Sequence, residues 1–504
     1  MSDGPELVFG LVGPVGVRTT AVARALEAAL ASVEYSTSLI RLSDRLRDLA
    51  PYRSLPTKPR DVYLREHMKA GNDLCRRTEP HAMALLAALA IREARATGGD
   101  KDTPRGRTAY VLHQLKRPEE VEILRQTYRE RFYLVAAHTP LSIRRSALAS
   151  EIAESRGSAD SDAYAQIARE LVDTDESESS RGVRSGQNVR DTFALADFFV
   201  DASSPERLAD HMRRVVEIVF GHPARTPTID EFGMNLAYGA ARRSGDLSRQ
   251  VGAAILGARG GVLALGTNEV PRFGGGAYWT DDEPDQRDWA LGYDSSYRRR
   301  VSMVMDLVQR LAEHQWLRED IAEGLEGRVR EALEGEDRFL RDASLMDVIE
   351  FGRTVHAEML AITDAAQRGI ALAGGTMYTT TFPCHNCARH IVSAGIRSVV
   401  YVEPYPKSLA GSLFQDSILV DPADPDGAKV TFKPFVGMGP VSYMSLFEAG
   451  VRKTPRGEAV PWDPRTATPK LVVLNDTYIG QEVLAVEGFD QILGKLGGGE
   501  DAAD

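Results

Sequence analysis

Short apolar runs alternate with segments of helical periodicity from Leu7 to Val200. The apolar runs have the length of buried strands, while segments such as Glu79–Ala96 and Pro118–Arg129 have the length of helices. Strands that alternate with helices favour a parallel sheet covered by helices on both faces. The pattern predicts an α/β fold with a doubly wound sheet, built on strands Leu7–Val12, Ser38–Leu42, Ala109–Leu112, Phe132–Ala136 and Asp197–Val200.

The pattern changes after residues 221–228, a stretch rich in Gly, Pro and Thr that predicts a linker. A second unit follows, interrupted by a long polar and helical insertion at about 271–350. The acidic, Ser-rich piece Asp173–Gly186 is expected to be a mobile loop, and the tail Gly497–Asp504 is expected to be disordered. The expected domains are 1–222, 229–450 and a C-terminal extension at 451–504. The first elements expected in the second unit are helix Asp230–Arg243 and strands Gln250–Leu256 and Gly261–Leu265.

The composition restricts the class of protein. Of 504 residues, 43% are hydrophobic and 26% are charged, which is the profile of a soluble globular protein. The net charge of −11 opposes binding to a nucleic-acid backbone and favours a small substrate. The apolar run Met83–Ile91 is far shorter than the roughly 18 residues of a membrane span, and the first residues lack a secretory signal. We therefore expect a cytoplasmic protein that does not enter a membrane.

The strongest chemical pattern is His356-Ala357-Glu358, followed after a predicted strand by Pro383-Cys384-His385-Asn386-Cys387. The arrangement H-x-E…P-C-x-x-C is the pattern of zinc nucleobase deaminases. Cys384 and Cys387 are three residues apart at the start of a predicted helix, so both sulfurs face the same side. The helix dipole there favours thiolates, which are the form that binds metal. The sequence predicts one catalytic Zn²⁺ held by His356, Cys384 and Cys387.

Three protein ligands leave the fourth tetrahedral position for water, as catalytic zinc requires. Glu358 is expected to take the proton of that water, deliver it to ring N3 and then protonate the departing ammonia. A purely structural zinc site or a chance C-x-x-C pair is the alternative. A structural site would usually have four Cys or His ligands, but Cys75 lies in the other domain, and His385 and His390 are awkwardly placed.

At these residues the chain resembles the cytidine and deoxycytidylate deaminase superfamily. The stretches Arg249–Ala253 and Leu265–Pro271 resemble the V-G-A…G-x-N-x-x-P pattern of deoxycytidylate deaminases. The resemblance implies an α/β/α deaminase domain in which the amide of Asn268 hydrogen-bonds the substrate. The alternative is an Asn selected for a turn, since Asn-x-x-Pro favours turns. Lys407 follows a predicted strand and is expected to contact substrate phosphate, the alternative being a solvated surface charge.

Near the amino terminus, strand Leu7–Val12 runs into a glycine-rich segment before a predicted helix. Against the phosphate-binding pattern G-x-x-x-x-G-K-[ST], Gly13 and Thr20 match and Gly16 is an additional glycine, but Arg18 and Thr19 replace the second glycine and the lysine. Backbone N–H groups at a helix start still hold phosphate without the lysine. We expect a nucleotide contacted by Gly13, Gly16, Thr19 and Thr20, or alternatively a turn that only connects strand to helix.

A degenerate P-loop domain similar to nucleotide kinases, joined to a deoxycytidylate-type deaminase domain, resembles the antiphage nucleotide deaminases of bacteria. The resemblance implies conversion of dCTP or dCMP to the uracil nucleotide, which would deplete the dCTP pool. It also implies control by a nucleotide or an inhibitory small RNA, and we expect a homo-oligomer. The alternatives are a housekeeping dCMP deaminase for dTMP synthesis and a nucleic-acid editing deaminase, for which the small basic clusters Arg242-Arg243 and Arg298–Arg300 would count.

Overall fold

The computed structural model divides the chain into two compact units. Unit 1 is drawn from residues 1–232 and 434–504, and unit 2 from residues 233–433. The division differs from the expected one, because residues 434–450 and the C-terminal extension belong to unit 1. The described residues are 4–177, 188–318, 324–336, 338–341, 343–348, 350–405, 407–422, 427–472 and 477–497.

The sheet of unit 1 has the order β12-β5-β4-β1-β3-β2. Its first five strands in chain order run parallel, as the sequence predicts, and β12 joins β5 as an antiparallel edge. The second strand ends at Arg41 and Leu42 begins a helix, so the predicted end at Leu42 was one residue too late. The strands are β1 Leu7–Val12, β2 Ser36–Arg41, β3 Thr108–His113, β4 Phe132–His138, β5 Phe198–Asp201 and β12 Gly437–Met438.

Amphipathic helices cover this sheet. In α1, Val22, Leu26 and Leu30 recur every four residues and are buried on one face. The α-helices of unit 1 are α1 Thr19–Ala31, α2 Leu42–Arg45, α3 Arg60–Arg77, α4 Ala82–Ala96, α5 Pro118–Tyr128, α6 Leu141–Ser155, α7 Ala165–Ser177, α8 Val189–Ala194, α9 Pro205–Val219, α17 Tyr443–Phe447 and α18 Thr477–Gly497. Helix α7 corrects part of the expected mobile loop, because Asp173–Ser177 are helical. The remainder of that piece, 178–186, and the tail 498–504 lie outside the described residues.

The last helix belongs to unit 1 because it completes a buried charge cluster. The guanidinium of Arg95 donates to the carboxylate of Glu482 at 2.8 Å and to that of Glu6 at 3.0 Å. Tyr128 Oη–H donates to Glu482 and Tyr478 Oη–H to Glu6, each at 2.6 Å. All five side chains are buried. Buried charges are costly unless they are paired and hydrogen-bonded, and α18 supplies one of the two carboxylates.

The sheet of unit 2 has the order β10-β11-β9-β8-β6-β7 and mixes parallel and antiparallel pairs. Gly266 in β7 (Val262–Thr267) permits a close approach of helix α14 (Ala357–Gln367), since a Cβ there would lie 2.0 Å from Ala357 O. The start of α14 is thereby held against the sheet. The strands are β6 Gly252–Leu256, β7 Val262–Thr267, β8 Thr376–Thr381, β9 Ser398–Glu403, β10 Ile418–Val420 and β11 Val430–Pro434, whose last residue falls in unit 1.

The insertion contributes helices that lie between β7 and α14 in the chain. Its ends meet where Glu269 and Val355 form an antiparallel bridge. No described helix is both long and apolar enough to cross a membrane. The α-helices of this part of the chain are α10 Ile229–Ala241, which contains the division between the units, α11 Asp288–Leu291, α12 Ser295–Glu313, α13 Leu325–Glu334, α14 Ala357–Gln367, α15 His385–Ser393 and α16 Ala410–Leu413.

Candidate metal centre

Two helix starts bring the predicted zinc ligands together. His356 is the residue immediately before α14, and Cys384 is the residue immediately before α15. The Sγ atom of Cys384 accepts the backbone N–H of Cys387 at 3.4 Å, which caps the first turn of α15 and sets the two cysteines on one side. Both thiols are buried in the core of unit 2. The i, i+3 spacing thus produces the arrangement that the sequence predicts.

The distances from the His356 nitrogen to the two sulfur atoms are close to those of a zinc site. Nδ1 of His356 lies 3.3 Å from Cys384 Sγ and 3.4 Å from Cys387 Sγ. Zn–S bonds of about 2.3 Å and Zn–N bonds of about 2.0 Å in a tetrahedron place ligand atoms about 3.5–3.8 Å apart. Among the described residues, no other group of three His, Cys, Asp or Glu side chains is close enough to hold a metal. The donor set fits one zinc ion and leaves one coordination position for another ligand.

The site stabilises one thiolate beside the imidazole of His356, while the hydrogen bond with Cys384 raises the pKa of the Cys387 thiol. The hydrogen bond with Cys387 is the main cause that lowers the pKa of the Cys384 thiol, and the His356 imidazole lowers it further. The same contact with Cys384 raises the pKa of His356 to about 9. A thiolate is therefore available beside the imidazole, and a divalent cation would replace the imidazole proton.

Glu358 lies in the first turn of α14 and is buried. Its Oε2 atom is 3.5 Å from Cys387 Sγ, so the carboxyl group is at the edge of the ligand set. Burial raises the pKa of Glu358. A carboxyl group with a raised pKa beside a metal position is suited to accept a proton and return it.

Comparison with known proteins agrees with this donor set. Residues 227–403 match the family described as the cytidine and deoxycytidylate deaminase zinc-binding region. The region is similar to zinc-dependent deaminases. The deoxycytidylate deaminase of Enterobacteria phage T4 is 46% identical over 57 residues, which are 11% of this chain and 30% of that protein. ComE operon protein 2 of Bacillus subtilis (strain 168) is 43% identical over 53 residues, 10% of this chain and 28% of that protein.

The chain thus spans less than a third of the length of these curated relatives of its deaminase region. Two solved structures are also similar to parts of this chain. The dCMP deaminase from the cyanophage S-TIM5, in complex with dCMP and dUMP, is 18% identical, with a TM-score of 0.23 over 41% of this chain and 98% of that chain. A gluconokinase from Sinorhizobium meliloti 1021 is 14% identical, with a TM-score of 0.22 over 42% of this chain and 94% of that chain.

Asn268 lies beside the deaminase core and uses its side chain locally. Its Oδ1 accepts the backbone N–H of Val251 at 2.6 Å, and its Nδ2 donates to the carbonyl of Arg249 at 2.7 Å. Val251 in turn packs against the core cluster that contains Cys384 and Cys387. Asn268 therefore ties the segment 249–251 to the end of β7, and one amide hydrogen and one lone pair remain for a further partner.

Lys407 lies on the loop that follows β9, and its ammonium is paired with a carboxylate. Lys407 Nζ is 2.5 Å from Oδ1 of Asp347, which belongs to the insertion. The next residue, Ser408, donates from Oγ to the carbonyl of Pro383 at 2.7 Å. Since Pro383 directly precedes Cys384, this hydrogen bond links the Lys407 loop to the segment that carries two metal ligands.

Sequence reasoning assigned no role to Tyr405 or Arg249, which adjoin this site. Tyr405 packs against the core cluster of the metal ligands, and burial raises its pKa, with a further contribution from Cys384. Arg249 lies 3.6 Å from the Glu403 carboxylate. Glu350 lies at the end of the insertion, and its Oε1 is 3.5 Å from Nε2 of His385. In the sequence, His385 stands between the two cysteine ligands. The sequence signal that could have found Tyr405 is its place two residues before Lys407.

In unit 1, Gly13 and Gly16 lie in the turn between β1 and α1, and Thr19 and Thr20 are the first two residues of α1. Gly16 has φ of +89°, and a Cβ there would lie 2.7 Å from the carbonyl of Arg144, so glycine is required. Thr19 is buried and begins α1. The structure therefore brings the predicted loop residues together at the end of β1.

Proposed function

We propose that the chain is a zinc-dependent hydrolase that deaminates free deoxycytidine nucleotides, converting dCTP, dCMP or both to the uracil nucleotide. The observation that carries the proposal is the group His356, Cys384 and Cys387, whose ligand atoms lie within 4.8 Å of one another beside the buried Glu358. The three ligands leave one coordination position for the reacting water. Such an open position distinguishes a catalytic zinc site from a structural one.

A zinc ion held by these residues would supply a Lewis acid that makes water acidic near neutral pH. Glu358 then holds the proton, because its carboxylate is within reach of the ligand set without being part of it. Its raised pKa favours proton delivery to N3 of the cytosine ring as the C4–O bond forms. Glu358 next takes the proton of the new C4 hydroxyl group and delivers it to the amine, so that the C4=O bond forms as the C4–N bond breaks and ammonia leaves. Each proton taken up by Glu358 is returned within one turnover.

The preference for free deoxycytidine nucleotides has two supports. The net charge of −11 disfavours a polyanionic substrate, and relatives of the zinc-binding region include deoxycytidylate deaminases of phages T2 and T4. In this proposal the remaining hydrogen-bonding capacity of Asn268 holds the sugar or base, and Lys407 meets the phosphate after leaving Asp347. Depletion of dCTP in defence against phage is the proposed biological outcome. A dCMP deaminase that supplies dTMP synthesis is the second candidate, favoured by the names of the same relatives.

For unit 1 we propose a regulatory role in which the loop Gly13–Thr20 senses a nucleotide without turning it over. The loop has Gly13 and the additional Gly16, but Arg18 stands in place of the second pattern glycine and Thr19 in place of the lysine that assists phosphoryl transfer. An enzyme that drains the cell's own dCTP needs restraint, and a nucleotide or a small RNA on this unit would provide it. Assembly into a homo-oligomer is part of the same proposal.

The test is a substrate panel on the purified full chain loaded with one zinc equivalent. Ammonia release is measured with dCMP, dCTP, CMP, deoxycytidine and cytosine-containing single-stranded DNA and RNA. We expect turnover of a deoxycytidine nucleotide and none of the oligonucleotides. The matched variant Glu358→Gln should keep zinc and lose about 10²-fold or more of the rate. Faster deamination of an oligonucleotide than of any mononucleotide, or full activity of the variant, would contradict the proposal.

A further inference from the structure

The glycine-rich loop of unit 1 contains a carboxylate supplied by a distant helix. Oδ2 of Asp175, near the end of α7, accepts the backbone N–H of Val15 at 2.7 Å. The side chain of Asp175 is 1% exposed, so this carboxylate is removed from water. Backbone N–H groups of such a loop are the groups that bind phosphate oxygens in phosphate-binding proteins. Asp175 therefore places an anionic oxygen where the loop offers a donor.

A lysine completes the arrangement from a third segment. Nζ of Lys116, which follows β3, donates to the other oxygen of Asp175 at 3.0 Å, and its side chain is 16% exposed. Two residues earlier, Gln114 Nε2 donates to the carbonyl of Gly13 at 2.9 Å, which fixes this segment against the loop. The cation that the sequence pattern lacks at Thr19 is thus provided by Lys116.

Packing explains why Asp175 is held there. Val15 belongs to a small buried cluster with Leu171 and Val172 of α7 and Leu148 and Ile152 of α6. Asp175 is one helical turn beyond Leu171, so docking of these apolar side chains delivers its carboxylate to the loop. The buried carboxylate then needs both the Val15 N–H and the Lys116 ammonium to offset its lost hydration.

We infer that Asp175 is an internal anion that occupies the phosphate position of the loop, and that Lys116 serves whichever anion is present. A nucleotide phosphate binds only when Asp175 withdraws, so α7 is a latch on the loop. The Lys116 ammonium and the Val15 N–H then donate to the phosphate instead of to the Asp175 carboxylate. The inference rests on the proposed nucleotide binding by unit 1 and adds its control element. Its consequence is that ligand affinity depends on the equilibrium between the latched and released positions of α7.

Isothermal titration of the full chain with ATP and inorganic tripolyphosphate tests the latch. Asp175→Asn removes the competing charge while keeping an oxygen for the Val15 N–H, so each affinity should rise by about tenfold or more. Adding Lys116→Met to Asp175→Asn should abolish that gain. Asp173→Asn is the matched control, since Asp173 lies on the same helix but is exposed and paired with Arg145, and it should bind like the unmodified chain. Tripolyphosphate separates recognition of phosphate from recognition of the base.

Equal affinities in the unmodified chain and Asp175→Asn would overturn the latch and leave nucleotide binding intact. Absence of binding in every variant would overturn both. Hydrogen exchange on the unmodified chain provides a measurement that does not depend on folding of the variants. Saturating ATP should increase exchange of amides in 165–177 if Asp175 is displaced, and unchanged or slower exchange in the bound state would contradict the latch. Zinc content should be the same in Asp175→Asn and Asp173→Asn.

Discussion

Arg95 and Glu482 form a buried ion pair across 387 positions of the chain, with Nη1 of Arg95 2.8 Å from the carboxylate. Both side chains are 0% exposed. Glu482 also accepts the hydroxyl hydrogen of Tyr128 at 2.6 Å, so its removal would leave two buried donors without this partner. The pair makes the C-terminal helix α18 a structural part of unit 1.

We predict that Glu482→Ala lowers the free energy of unfolding of unit 1 by roughly 3–5 kcal/mol, because a buried guanidinium loses one of its carboxylates. Thermal and urea unfolding of the full chain would measure the loss. The control is Glu487→Ala, since Glu487 lies on the same helix but is exposed and its change should have little effect. A change of similar small size in both variants would show that α18 does not stabilise the unit through this pair.

The ligand set predicts a sharp difference among the three cysteines. Cys384→Ala and Cys387→Ala should each lose zinc, since two remaining ligands bind it weakly. Cys75→Ala should retain one zinc equivalent, because Cys75 is buried in unit 1 and burial raises its pKa to about 11. Metal content of the three variants after dialysis against a mild chelator is the measurement. Full zinc occupancy in either of the first two would exclude that cysteine as a ligand.

Asn268→Ala separates the structural role of the amide from a role toward substrate. Removal of the side chain leaves the partly buried N–H of Val251 without its acceptor, which should lower the free energy of unfolding by about 1 kcal/mol. We also expect a higher KM for dCMP with zinc retained. A lower Tm with an unchanged KM would restrict Asn268 to holding the segment 249–251.

Lys407→Ala tests the phosphate contact. Exposed ion pairs contribute about 0–1 kcal/mol, so a phosphate dianion can displace Asp347 from the half-exposed Lys407. The variant should raise KM for dCMP by about tenfold while leaving KM for deoxycytidine, which has no phosphate, unchanged. Asp347→Asn, which frees the lysine, should not raise KM for dCMP. Equal changes for nucleotide and nucleoside in Lys407→Ala would remove the phosphate contact from the proposal.

Sequence patterns predicted the structure correctly where the residues involved are close together in the sequence. The apolar run at β1 predicted both ends of that strand correctly. The spacing of Cys384 and Cys387 at a helix start predicted that both sulfurs face the same side. His356 was predicted as the third ligand because the sequence matches a known motif. Its Nδ1 lies within 3.4 Å of both sulfurs.

Long-range pairing left no local signal. Nothing in the residues around Gly437 indicates that this short strand joins β5, since two residues are too few to display alternation. The partner of Arg95 lies 387 positions away, and Asp175 reaches the glycine-rich loop from a segment whose acidic, Ser-rich composition favours disorder. In each case the contact depends on the folded topology, which periodicity and motif spacing do not specify.

Unit 1 is encoded in two stretches of chain, with residues 233–433 between them. At a synthesis rate of about 5–20 residues per second, roughly 10–40 s separate the emergence of Phe232 from that of Pro434. During this interval β5 has no antiparallel neighbour, and Arg95 has Glu6 as a partner but not Glu482. A nascent chain on the ribosome therefore exposes all three zinc ligands of unit 2 before the last strand and the last helix of unit 1 have emerged.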